Sequence, residues 1–186
     1  MAQPEVPEVV VTCLERIRSE TRLLLDMCRH ILDEMQAEQE VALDAVASEV
    51  AESASRTTTC VIDLDLTPCS IRTNPVAVRR ALVNLVDNAT RAAGADGNIS
   101  IVVRSDSRQV RLCVRDSGPG FGASSSGACG IGLSLVERYA RDHDGMVEIG
   151  QNAGGGASVS IVLPAQTCRS GAGNRRRAVP RAAESA

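Results

Sequence analysis

What most restricts the fold of this chain is a change of apolar period near residue 60. From Thr12 to Met35, the residues Leu14, Ile17, Leu24, Cys28, Ile31 and Met35 recur at spacings of three and four, with Thr21 in the remaining slot. This is a heptad-like helical seam that needs another helix to cover it. Val41, Leu43, Val46 and Val50 continue as a second helical segment ending between Ser53 and Thr59. The period then shortens. CVIDLDL (60–66), ISIVVR (99–104), VRLCVR (110–115), MVEIG (146–150) and ASVSIVLP (157–164) are β-branched, and most alternate apolar with polar residues, as half-buried strands do. The second and third runs flank SDSRQ and read as a hairpin. Two helices interrupt the strands. One follows TNP, with Asn74 as N-cap and Pro75 at the first helical position. The other runs from about Gly132 to His143 and stops before Gly145.

Three blocks follow: a helical segment over 1–54, a strand-and-helix domain over 55–164, and a tail over 165–186. The tail, AQTCRSGAGNRRRAVPRAAESA, has little to bury and reads as disordered and Arg-rich.

Composition removes several function classes. Phe121 and Tyr139 are the only aromatic residues, so stacking of bases on aromatic platforms is not expected. The chain has no lysine, which excludes a phosphate loop of the GxxxxGK[ST] kind. A net charge of −3 gives no chain-wide field for nucleic acid. The seven cysteines form no CxxC pair and read as small core residues of a reduced protein. No basic-then-apolar leader and no apolar run near 18 residues occurs, so a cytoplasmic protein without a membrane segment is expected.

Within LVNLVDNATRAAG, Val78, Ala81, Leu82, Leu85 and Ala89 form one stripe of the helix, and Asn84, Asn88 and Arg91 line its edge. A carboxamide oxygen there can ligate Mg²⁺, which takes much of its shell from water and phosphate. Taken alone, the pair reads equally well as surface asparagines, and Asp87 points elsewhere. In VRDSGPGFG, Val110, Leu112 and Val114 share a face, and strict alternation puts Asp116 on that same inward side. A buried carboxylate needs donors, and adenine's amino group is one. Gly118 and Gly120 let backbone pass close to a flat ligand, or simply make a turn. In GACGIGLSLVERYA, Gly130 and Gly132 open a helix, where free N–H groups receive phosphate.

Asn84–Asn88, Asp116/Gly118/Gly120 and Gly130/Gly132/Leu133, in that order, resemble the N, G1 and G2 boxes of the histidine-kinase-like (GHKL) ATP-binding domain. GGGASVSIVLP resembles that family's closing strand, and the similarity covers about 55–164. The resemblance implies an α/β sandwich of the Bergerat type, a mixed sheet with helices on one face, preceded here by the N-terminal amphipathic helix. It implies ATP and Mg²⁺ as cofactors: Asn88 on the metal, Asp116 on the adenine amine, Gly130 and Gly132 at the phosphates, and Arg91 where the family often has Lys or Arg. The FGASSS segment is a short lid, and Ala128 stands where glycine is common.

Position 84 separates the family's chemistries. Members that activate water or a serine hydroxyl typically carry Glu there as general base. Asn84 cannot take a proton. A neutral imidazole needs no strong base, and phosphoryl transfer to it depends mainly on positioning and charge neutralisation. The resemblance therefore implies an ATP-dependent histidine kinase subunit. LERIRSETRLLLDMCRHILDEM is similar to the second helix of a dimerisation and phosphotransfer hairpin, but the first helix and its acceptor motif are absent. His30 reads as a helix-surface residue. His143, at a helix C-terminus that favours its cation, matches a position where the family often has a non-substrate His. The expected partners are a histidine-bearing phosphotransfer protein or a second copy docked on the seam, and a response regulator downstream. An ATP-binding regulatory module without transfer activity, and a serine kinase resembling an anti-sigma factor, are the alternatives.

Overall fold

The computed structural model describes residues 10, 12–13, 16–17, 20–21, 37–120, 130–152, 155–165, 168–170 and 175–179. Two compact units are present, Met1–Ala37 and Glu38–Ala186. The heptad seam and His30 lie almost wholly outside the described residues, as do FGASSS (121–126), read as a lid, and Ala128.

The second unit contains β1 (Gln39–Ala42), α1 (Leu43–Ser55), β2 (Val61–Leu66), β3 (Cys69–Thr73), α2 (Pro75–Ala93), β4 (Asn98–Ser105), β5 (Gln109–Asp116), α3 (Gly130–Asp142), β6 (Met146–Gln151), β7 (Ala157–Pro164), β8 (Cys168–Ser170) and β9 (Arg175–Val179). All five runs expected to be strands are strands. The main sheet has the order β6-β7-β5-β4-β2-β9, and a smaller one has the order β1-β3-β8. β2 and β4 are parallel, while β4–β5, β5–β7 and β6–β7 are antiparallel. A parallel pair needs a long crossover, and β3 with α2 supplies it.

Alternation decides which sheet face is covered. Leu64 pairs with Ile101, Ile101 with Val114, Leu112 with Val103 and Ile161. All belong to the apolar core, together with α1, α2 and α3 residues. The helices thus cover one face of a mixed sheet. α2 buries Val78, Ala81, Leu82, Leu85, Val86 and Ala89, the expected stripe with Val86 added. Asn74 caps it, its Oδ1 accepting from the N–H groups of Val76 and Ala77 at 2.9 and 3.1 Å.

Three expectations differ from the structure. Val41 is not helical: it lies in β1 and pairs with Ile71 of β3. Both side chains are buried, and helical spacing from Val41 to Val50 hid a strand only four residues long. The unit boundary falls after Ala37, not after residue 54, because Leu43, Ala47, Val50 and Ala51 of α1 are buried in the core that also holds the sheet. Within the stretch read as a tail, β8 pairs with β3 and β9 with β2; sheet edges present unpaired backbone groups that accept such strands.

Candidate functional site

α2 positions the two amides. Asn84 Nδ2 donates to the carbonyl of Arg80 at 3.0 Å, one turn back. Asn88 Oδ1 accepts from Nη2 of Arg91 at 3.0 Å. Both asparagines are half-buried at the rim of the core, whereas Asp87 is exposed, as expected. The first turn of α3 lies against them: a methyl group placed on Gly132 would sit 3.4 Å from Asn88 Nδ2 and 3.5 Å from Asn84 Oδ1. Sequence order separated these motifs by more than forty residues, and the fold brings them into contact. α3 begins at Gly130, so its first N–H groups, which have no partner within the helix, lie near the amides. Leu133, partly buried, packs against the core.

Asp116 closes β5 on the inward side and is buried. Its Oδ1 accepts from the N–H of Gly118 at 2.9 Å and from that of Ala157 at 3.2 Å. Both bonds end on one oxygen, leaving Oδ2 for a ligand donor. The glycines that follow are required by packing. A Cβ on Gly118 would lie 2.4 Å from the carbonyl oxygen of Ala92 on α2. Gly120 has φ +81°, a left-handed conformation in which other residues are strained. The three motifs therefore meet around the C-terminal half of α2: Gly132 at Asn84 and Asn88, Gly118 at Ala92.

Among the described residues, no group of three or more His, Cys, Asp or Glu could hold a metal ion. The amide oxygens at this edge of α2 are neutral hard donors, of the kind Mg²⁺ accepts when phosphate and water complete its shell. A cavity of about 260 Å³ is lined by Asp63, Ser100, Arg115, Asp116 and Asn152, among others. Ser100 and Arg115 pair across β4–β5 on the sheet face away from the helices, and the cavity reaches from there round the strand ends to Asp116.

Sequence reasoning missed a polar cluster below α3. The Thr73 hydroxyl is fully buried and lies 3.1 Å from Tyr139 Oη and 2.9 Å from His143 Nε2. His143 Nδ1 lies 2.9 Å from the carbonyl of Tyr139 and donates to it, and Glu38 reaches Nε2 at 4.0 Å. Burial pushes the Tyr139 phenol up from its ordinary value, so it stays protonated and donates. His143 thus ties α3 to β3. The only sequence signal was Thr73 on the inward side of an alternating CSIRT, a five-residue run bracketed by Pro68 and Asn74-Pro75.

Residues 73–167, just over half of the chain, match the family model of the histidine kinase-, DNA gyrase B-, and HSP90-like ATPases. The chain belongs to this ATPase family. Members of the family bind ATP, and the edge of α2 described above lies within the matched span. The adaptive-response sensory kinase SasA of Synechococcus sp. (strain JA-2-3B'a(2-13)) is 31% identical over 112 residues, covering 51% of this chain and 30% of that protein. The signal transduction histidine-protein kinase/phosphatase MprB of Mycolicibacterium paratuberculosis is 24% identical over 191 residues, covering 90% of this chain and 37% of that protein. The chain thus spans about a third of the length of these curated relatives. Among solved structures, the Acinetobacter baumannii histidine kinase AdeS superposes with a TM-score of 0.64 at 22% identity, covering 87% of this chain and 86% of that one. The ATP-binding domain of PrrB from Mycobacterium tuberculosis gives 0.61 at 24% identity, covering 69% and 98%. These likenesses establish the ATPase-domain fold. No helix among the described residues is long and apolar enough to cross a membrane.

Proposed function

We propose that this chain is the ATP-binding catalytic part of a histidine kinase in two-component signalling, passing the γ-phosphate of ATP to a histidine on a partner polypeptide or a second copy. The observation that supports this reading is the approach of the Gly132 position to both Asn84 and Asn88, two neutral amides beside a helix start able to receive phosphate. Bound Mg²⁺ would supply charge neutralisation on the triphosphate, with Asn88 Oδ1 as the protein's ligand to it. Arg91, exposed on the helix surface, would exchange its bond to Asn88 for a phosphate oxygen. Asp116 Oδ2 would accept from the adenine amine, with Gly118 and Gly120 beside the base, and Gly130 and Gly132 would offer backbone N–H groups to the phosphates. No side chain at position 84 can take a proton, which favours a nucleophile already unprotonated at neutral pH, as imidazole is. The same amide also supports a second reading, an ATP-binding regulatory module without transfer.

The experiment is incubation with Mg²⁺ and ATP labelled at the γ-phosphate, first of the chain alone and then with histidine-bearing phosphotransfer proteins of the same cell, followed by acid and alkali treatment. Acid-labile, alkali-stable label on a partner supports the kinase. Acid-stable phosphoserine supports the anti-sigma-like alternative. Binding without label on any partner leaves the regulatory module.

A further inference from the structure

Asp116 is held in an unusual way at the end of its strand. The β5–β7 ladder pairs Gln109 with Pro164 and continues to Arg115 with Ser158; the next rung, Asp116 opposite Ala157, is made by side chains. The Ala157 N–H donates to Asp116 Oδ1 at 3.2 Å. Asn152, in the β6–β7 turn, supplies the return bond: its Nδ2 donates to the Asp116 carbonyl at 2.8 Å and to the Ala157 carbonyl at 3.0 Å. One amide group, using both of its hydrogens, therefore clamps the two strand ends together. The Asn152 N–H donates to the Gly156 carbonyl at 2.7 Å and the Gly155 N–H to the Asn152 carbonyl at 3.0 Å. A Cβ on Gly156 would lie 1.7 Å from the Asp116 carbonyl oxygen, and one on Gly120 would lie 2.8 Å from the Gly155 carbonyl oxygen. Gly156 is thus packed against Asp116, and Gly155 against the loop after it.

From this arrangement we infer that Asn152 is a positioning residue for adenine recognition: it fixes the backbone of Asp116 so that Oδ1 is satisfied by Ala157 and Gly118 and Oδ2 alone is presented to the base. The inference rests on the reading of Asp116 as the adenine acceptor. Asn152 acts through Asp116 and does not touch the nucleotide. A buried carboxylate without this second strand-end bond turns more readily, and its remaining donors satisfy either oxygen.

The test compares the affinity of the full chain for ATP and for purine riboside triphosphate, which lacks the exocyclic amine, in wild type, Asn152→Ala, Asn152→Ser and Asp116→Ala. Asn152→Ala should weaken ATP by about tenfold, one charge-assisted hydrogen bond, and leave the analogue within about twofold, so that the preference for ATP collapses. Asn152→Ser, which keeps one donor, should fall between and serves if the alanine variant does not fold. Equal loss for both nucleotides, or an unchanged preference, would show that Asn152 is merely structural and overturns the inference. If wild type shows no preference, or Asp116→Ala keeps it, the adenine reading itself fails, and that failure is seen without any Asn152 variant.

Discussion

Replacing Gly132 with alanine should move stability and nucleotide affinity in opposite directions. In the first turn of α3 the new methyl would meet Asn88 Nδ2 at 3.4 Å, Asn84 Oδ1 at 3.5 Å and Asn88 Oδ1 at 3.7 Å, all ordinary contacts. Alanine in a helix is favoured over glycine by about 0.5–1 kcal/mol, less in a terminal turn. The variant should therefore unfold at or slightly above the wild-type temperature, by at most about 2–4 °C. The same methyl stands between the two amides and the helix start where phosphate is proposed to bind. Loss of one charge-assisted contact is about 1.5–3 kcal/mol, or about ten- to a hundredfold in Kd. The assay is calorimetric titration with Mg-ATP beside thermal unfolding without nucleotide. Gly118→Ala is the control with the opposite signature: its methyl would lie 2.4 Å from the Ala92 carbonyl oxygen, backbone that cannot step aside, and overpacking costs about 1–3 kcal/mol. A Gly132→Ala protein that binds Mg-ATP as tightly as wild type would refute placing the phosphates at this helix start.

Asn88→Ala should weaken binding of Mg-ATP by about tenfold or more and leave binding of metal-free ATP nearly unchanged, as titrations with and without chelator would show. Thr73→Val removes the hydroxyl shared by Tyr139 and His143 and should cost about 1–3 kcal/mol in denaturant unfolding; adding Tyr139→Phe should cost less than it does alone, a coupling that a double-mutant cycle detects. On the acid side, two hairpin carboxylates should matter. Donation from the backbone N–H groups of Arg108 and Gln109 holds Asp106 below its usual 3.8, and the Arg111 guanidinium holds Glu148 below its usual 4.5. Depressed carboxylates stabilise the fold above their unfolded values, and that contribution is lost as pH falls through the folded ones. Asp106→Asn with Glu148→Gln should flatten the fall in stability between about pH 5 and pH 2, measured by urea unfolding.

The parts of the fold legible in the sequence were those with a full period to read. Six to eight residues of alternation made β2, β4, β5 and β7 plain, and the stripe from Val78 to Ala89 together with the Asn74-Pro75 start fixed α2. Asp116 was placed inward by counting twos from Val110. β1 and β3 were hidden for physical reasons: each is four or five residues long, Val41 fits a helical spacing as well as a strand, and Pro68 and Pro75 bracket β3 with turn chemistry. The site was legible as three motifs in order, but not as a contact, because the approach of Gly132 to Asn84 and Asn88 depends on α3 packing through Val136, Tyr139 and Ala140, which are buried. Asn152 carried no signal of its own. An asparagine before a glycine run reads as turn punctuation, and only the end of the β5–β7 ladder gives it a partner.

The convergence of α2, the loop after β5 and the start of α3 at one place has a thermodynamic consequence for the whole molecule. A nucleotide bound there, as proposed, would touch segments far apart in the chain and would behave as a non-covalent staple, present only when the native arrangement exists. A ligand of that kind raises the free energy of unfolding with its concentration, by about 2.7 kcal/mol at a hundred times its Kd. For a core built almost without aromatic side chains, a nucleotide at the proposed site would then add to what holds these segments together.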